Sequence, residues 1–373
     1  MQRYQKIVVK VGTSTLTEGT SLLSRRQILV IVQQIAQLHD EGRQVILVTS
    51  GSIAAGREIV NKVDGTVPGK QMLSAVGQVR LMQIWAELFG LFTIPVGQLL
   101  LTRGDFSSRE GYLNVRNTLL SLLQHNVIPI INENDSVATK EIEFGDNDNL
   151  SALAANMIAA DLLILLTDRE GLYRADPQID PHAALISLVE HIDDSVFRLA
   201  GKTTKKMGMG AGGMATKVEA AQLATTSGTP TVIASAAAPS IIIDLANGKK
   251  KGTLFLAKST PLESRKRWLL SETVRGQIII DQGAVDSLLT KGASLLPVGI
   301  TETKMTFKRG DIVQMLTPQH TPLAVGITNY SQQDIQQVQG ANSQDIESIL
   351  GYSYGPEVIH RDHMALLPYK ERG

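Results

Sequence analysis

The residues able to do chemistry fall in five short segments. In the first, KIVVKVGTST, Lys10 stands inside an apolar run and Gly12, Thr13 and Ser14 follow it. A lysine in a buried strand is costly unless its charge is used. Either it snorkels to solvent at the strand end or its ammonium meets a phosphate. The second, VTSGSIAAG, leaves an apolar run through Ser50, Gly51 and Ser52 into small residues. Glycine there lets a ligand approach the backbone, and a following helix would offer free N–H groups to an anion. The alternative is a simple N-cap serine.

The third and fourth, INENDSV (Asn132 to Asp135) and FGDNDNLSALAA (Asp146, Asn147, Asp148, Asn149), are dense in short carboxylates and amides. One such run is ordinary turn or cap material. Two of them suit a polar zwitterion, with carboxylates taking its ammonium and amides or N–H groups its carboxylate. The fifth pairs LLTDREGLY with the later KTTKKMGMGAGGMATKVEAAQLA. Gly208, Gly210 and Gly213 match G-x-G-x-x-G, but no strand precedes them, so this is not a dinucleotide fingerprint. Glycines ahead of a helix around 215–224, with Lys217 in its first turns, still make a phosphate cradle plus a lysine. Residues 65–70, GTVPGK, are one short of a P-loop and Gln71 follows. His360 and His363 could pair on a metal, although surface histidines are the simpler reading, and nothing resembles a nucleophile–base triad.

Buried β-branched runs at 7–11, 45–49, 93–96, 127–131, 162–167 and 231–234 must position these segments. Amphipathic stretches lie between them, at 24–42 and 73–89 among others. The alternation predicts an α/β domain with a parallel sheet covered on both faces, a mixed α+β domain being the alternative. The reactive segments then follow the C-terminal ends of strands, where open parallel sheets bind ligands. Residues 259–273 read as a linker or connecting helix. Beyond 274 short glycine-punctuated runs, with one helix-like stretch (GAVDSLLTKG), suit a small, mostly β barrel.

Composition narrows the function. The 373 residues carry 36 Lys+Arg and 36 Asp+Glu, and 43% are hydrophobic, as expected of a globular protein of about two domains. Neutral balance argues against a chain that coats nucleic acid or an acidic membrane. With Cys 0, disulfides, thiol catalysis and Cys-ligated zinc are absent, which fits a reducing compartment. No apolar run reaches the ~18 residues of a membrane span, and the N-terminus lacks a secretory signal's apolar core. The expectation is a cytosolic protein acting on small molecules.

The segments VVKVGTS, VTSGSIAAGR, INENDSVAT, GDNDNLSALAA, LLTDREGLY and GAGGMATK, in this order and spacing, resemble the bacterial glutamate 5-kinase branch of the amino acid kinase family. RGQIIIDQGA, GASLLPVGI, FKRGDIV and ILGYSYGPEVIHRDHM resemble the PUA domain that many of these enzymes carry. The resemblance implies an amino acid kinase α/β/α sandwich over 1–258, a linker over 259–273 and a PUA-like domain over 274–373. It implies that ATP with Mg²⁺ phosphorylates the side-chain carboxylate of L-glutamate, the first step of proline biosynthesis, in a cytoplasmic homo-oligomer inhibited by proline.

By the same resemblance Lys10 and Lys217 contact nucleotide phosphates, Asp148 organises those lysines, and Ser50, Asp135 and Asn147 bind glutamate. Nucleotide contacts extend to Thr167, Asp168, Ala211, Gly212, Gly213, Met214, Ala215, Thr216 and Lys217. No resident metal ligand is implied. Family members often carry Thr where Ala211 stands, and the 202–206 loop is unusually basic, so nucleotide affinity or loop ordering could differ. A related acyl-phosphate-forming kinase, acting on aspartate, acetylglutamate or carbamate, is the nearest competing reading. RNA binding through the PUA-like part is another. Residues 274–373 hold eight Lys and Arg against ten Asp and Glu, which counts against an RNA groove.

Overall fold

The computed structural model describes residues 3–61, 63–137, 147–201 and 213–367. By contact the chain divides into two units. One comprises Met1–Asp105 and Val115–Pro261, the other Phe106–Asn114 and Leu262–Gly373.

The first unit is built on an eight-stranded sheet. Its strands are β1 (Lys6–Val11), β2 (Gln44–Val48), β3 (Val96–Leu101), β4 (Ile128–Glu133), β5 (Leu162–Thr167), β6 (Leu188–Val189), β7 (Thr231–Ser235) and β8 (Thr253–Phe255), in the order β3-β4-β2-β1-β5-β7-β8-β6. From β3 to β7 every pairing is parallel, and only β7 with β8 is antiparallel. The apolar runs KIVVKV and LLILLT are central because both their faces are covered. In β5 all six residues are buried. Register places Lys10 beside Val48 of β2 and Leu165 of β5. The buried lysine therefore stands one residue before the end of the central strand. The chain first builds to one side of β1 and returns at β5 on the other, so the crevice over β1 lies at a topological switch point.

Two expected elements move. The strand expected at 93–96 begins at Val96, because Thr93 turns with φ 59° and Pro95 interrupts the run. The helix expected at 73–89 spans Val67–Gly90, its start set by Thr66, whose hydroxyl accepts from the Gly69 N–H at 3.2 Å. This helix crosses the short helix Ser52–Arg57 with no room to spare. A Cβ on Gly77 would collide with the Ser52 carbonyl and the Gly56 amide, and one on Gly56 with the Leu73 carbonyl. Trp85, fully buried and stacked on Phe89, donates from Nε1 to Thr49 Oγ1 at 3.3 Å and pins the helix beside the end of β2.

The second unit holds a five-stranded sheet, β10-β9-β11-β12-β13. The strands are β9 (Gly276–Ile280), β10 (Ile300–Lys304), β11 (Ile312–Leu316), β12 (Pro322–Ile327) and β13 (Met364–Leu366). Ile278, Phe307, Met315, Leu323 and Tyr330 share its core. The expected helix-like stretch is the helix Gln282–Thr290, and the stretch at 259–273 contains the helix Pro261–Ser271. Leu113 packs with Leu269, Ile312 and Val325, which explains why 106–114 belongs to this unit. His363 is buried beside half-exposed His360 rather than lying on the surface, and among the described residues no His, Asp and Glu group is set to hold a metal. No helix among the described residues is long and apolar enough to cross a membrane.

Replacing Gly77 by Ala forces the two crossing helices apart. Overpacking of this kind costs about 1–3 kcal/mol. Thermal denaturation is expected to show Gly77→Ala melting several degrees below wild type, and an unchanged Tm would refute the tight crossing.

Candidate active site

Three charged side chains meet over the end of β1. Lys10 Nζ lies 2.5 Å from Asp148 Oδ1, and Lys217 Nζ lies 3.3 Å from Asp148 Oδ2. Lys10, Lys217 and Asp148 are 3%, 4% and 0% exposed, so all three charges are withdrawn from water. Asp148 comes from the first turn of the helix Asn147–Ile158, and Lys217 from the first turn of Met214–Thr226, where Gly213 is the N-cap. Thr216 Oγ1 donates to Asp148 Oδ2 at 2.7 Å, and Ser151 donates to the Asp148 carbonyl at 2.5 Å. Met214, Ala215 and Thr216 form the turn that leads to Lys217.

The electrostatics follow from that enclosure. Burial pushes the Asp148 carboxyl up, but Lys10, Lys217 and Thr216 outweigh it and hold its pKa at about 2. Burial pushes the Lys217 ammonium down, opposed by Asp148 and reinforced by the like charge of Lys10. Two lysines share one carboxylate, so the cluster carries a net positive charge in a dry site. The arrangement suits an anion.

Asn147, adjacent to Asp148, faces a different network. Its Nδ2 donates to Ser50 Oγ at 2.9 Å and to Asn132 Oδ1 at 3.1 Å, and its Oδ1 accepts from the Glu133 N–H at 3.2 Å. Asn132 Nδ2 donates to Gln78 Oε1 at 2.8 Å. Ser50 is therefore held by an amide rather than capping the helix after it, whose N-cap is Gly51 at φ 101° without a side-chain cap. Asp135 stands beyond β4, where Ser52 Oγ donates to its Oδ2 at 3.0 Å. Burial moves the Asp135 carboxyl above its ordinary pKa, and the Ser52 and Ser74 hydroxyls partly reverse that. A cavity of ≈ 280 Å³ opens beside Asp135, lined also by Ser74, Gln78, Glu133 and Asn134.

At the end of β5, Thr167 is buried and donates to exposed Asp168 at 2.9 Å. Asp168 lies close enough to Lys217 to favour its charged form. Lys10, Asp148, Thr216 and Lys217 thus come together, as do Ser50 and Asn147, with Asp135 on the cavity. Asp146, the 202–206 loop, Gly208, Gly210, Ala211 and Gly212 lie outside the described residues.

Ser74 and Gln78 went unread in the sequence because their helix looked simply amphipathic. A signal was present. Leu73, Ser74, Gly77, Gln78 and Leu81 share the buried stripe, so two polar residues four apart interrupt an apolar face.

The amino acid kinase family model matches residues 5–235, and that of the PUA domain matches 276–350. A glutamate 5-kinase of Escherichia coli O1:K1 / APEC is 48% identical over 366 residues, 98% of this chain and 99% of the relative. One from Enterobacter sp. (strain 638) is 47% identical over 368 residues, covering 98% and 100%. Among solved structures, UMP kinase from Bacillus anthracis aligns with a TM-score of 0.48 at 14% identity, over 69% of this chain and 98% of that one.

Removing the central carboxylate leaves two buried like charges. Breaking a buried pair costs about 3–5 kcal/mol, so Asp148→Asn is expected to melt well below wild type. The stability that ionised Asp148 contributes is complete above the unfolded pKa of about 4 and is lost as the pH falls through about 2. Chemical denaturation across that window should show wild type losing more stability than Asp148→Asn, since other stabilised carboxylates such as Asp193 and Asp244 titrate in both. Parallel curves would refute the clamp.

Proposed function

Because this chain belongs to the amino acid kinase family and carries a PUA domain, we propose that it transfers the γ-phosphoryl group of ATP to the side-chain carboxylate of L-glutamate. The product is L-glutamyl 5-phosphate, the first intermediate of proline biosynthesis. Near-full-length similarity to glutamate 5-kinases supports the substrate. The observation that carries the chemistry is the buried Lys10–Asp148–Lys217 cluster beside the Ser50–Asn147 network.

A carboxylate nucleophile is ionised at pH 7. One of its oxygens attacks the γ-phosphorus as the bond to the ADP oxygen breaks, and no proton has to move. Asp148 suits this chemistry as a clamp. With a pKa of about 2 and two ammonium groups against it, it is a poor base at neutral pH. Lys10 and Lys217 balance the charge spreading over the phosphoryl oxygens, and the turn Gly213–Thr216 with Thr167 and Asp168 meets the nucleotide, as do Ala211 and Gly212 on the family's pattern. Asp135 takes the substrate ammonium, while Ser50 and Asn147 take its carboxylate end. When bound, ATP would bring Mg²⁺ on its phosphates, where the ion would screen their charge beside Lys10 and Lys217.

We also propose domain limits of 1–258, 259–273 and 274–373, a cytoplasmic homo-oligomer, and no RNA or membrane partner. Proline shares glutamate's α-carboxylate and cationic nitrogen but lacks the carboxylate that is phosphorylated. It is therefore proposed to occupy the Asp135 and Asn147 contacts.

The direct assay is glutamate-dependent ADP release with hydroxylamine trapping of the acyl phosphate. Absence of the trapped product would refute the activity. Lys10→Ala and Lys217→Ala are each expected to lower kcat by ~10²–10³, whereas Asp135→Ala and Asn147→Ala raise KM for glutamate far more than KM for ATP. A rise in ATP KM instead would overturn this division of the site. Initial rates over a grid of glutamate and proline should give competitive inhibition, and a lowered Vmax at saturating glutamate would point to a separate proline site.

A further inference from the structure

We infer that Ser52 and Ser74 are positioning residues that fix the orientation of Asp135 for the amino group of the substrate, an assignment that rests on the proposed glutamate kinase activity. Both serines are nearly fully buried, at 2% and 3% exposure, on the two helices that cross at Gly77. Ser74 Oγ approaches Ser52 Oγ at 3.0 Å and Asp135 Oδ2 at 3.4 Å, and Ser52 Oγ donates to the same Oδ2 at 3.0 Å. A hydroxyl has one proton to donate. Ser52 spends its own on Oδ2 and accepts from Ser74, so the two form a short relay ending on one carboxylate oxygen.

Asp135 sits in a turn after β4, where nothing in the secondary structure fixes its side chain. The relay holds Oδ2 on the helix side, which directs Oδ1 to an ammonium in the cavity that Asp135 and Ser74 both line. It also favours the ionised carboxylate, against burial that disfavours it. Glu133 is the other titratable side chain lining that cavity. Toward Asp135 the two serine donors act against the burial that raises its pKa.

The test uses the full chain with Ser74→Ala, Ser74→Cys and Ser52→Ala. Cysteine is somewhat larger than serine, so it leaves no void, and it donates only weakly. Each variant is expected to raise KM for glutamate about 10- to 100-fold, the effect of losing one hydrogen bond to a charged group, with kcat within about twofold and KM for ATP unchanged. The ionised form must hold the ammonium, so losing a donor moves the acid limb of kcat/KM for glutamate to higher pH. Glutamate's own carboxyl titrates identically in every variant. Wild-type KM and acid limb in Ser74→Ala and Ser52→Ala would overturn the assignment. So would a Ser74→Cys variant that behaves as wild type, because packing alone would then explain the residue. Wild-type protein with no glutamate-dependent ADP release would overturn the activity and this inference together. Activity in wild type with unshifted variants would overturn the inference alone.

Discussion

Asp148 between Lys10 and Lys217 is the constraint on which the rest of the first unit depends. Desolvating an ion costs several kcal/mol even after relaxation, and here three are desolvated at once. Such a cluster persists only if its members arrive together with hydrogen bonds to spare. Lys10 comes from one residue before the end of the central strand, and Asp148 and Lys217 from the first turns of two helices that pack on one another. Thr216 supplies a further donor to the carboxylate. The imbalance of two cations to one buried anion fits the proposed phosphoryl-transfer site, where the substrate would bring the missing negative charge.

Adjacent residues then divide the site. On a helix, neighbours point about 100° apart, and Asn147 and Asp148 use that angle. Asp148 turns to the lysines, while Asn147 turns to Ser50 and Asn132. One rigid turn therefore fixes the distance between the proposed phosphate half and the proposed amino-acid half. In-line transfer depends on that distance to a fraction of an ångström.

The helix Val67–Gly90 supports the amino-acid half from behind. Gln78 accepts from Asn132, Ser74 meets Ser52 and Asp135, and Gly77 between them allows the close crossing that makes these contacts reachable. A larger residue at 77 would separate serines that now lie 3.0 Å apart. Packing and polar geometry are thus one problem in this helix.

The parallel sheet, its main strands and the polar segments beyond their ends were legible in the sequence, because continuous apolar runs and Asp/Asn/Gly clusters are local features. Lys10 announced itself as a charge inside an apolar strand. The β7–β8 antiparallel pair and the association of 106–114 with the C-terminal unit were not legible. Both depend on contacts between residues far apart in the chain. Ser74 and Gln78 escaped for the same reason. A serine and a glutamine on a helix are unremarkable until the fold buries them against Asp135 and Asn132. Sequence alone determined which residue types were available for phosphate and zwitterion chemistry. The tertiary structure decided that Lys10 and Lys217, over two hundred positions apart, share a single carboxylate. A charge becomes a functional group only when its solvation and its partners are set, and both are properties of the folded chain.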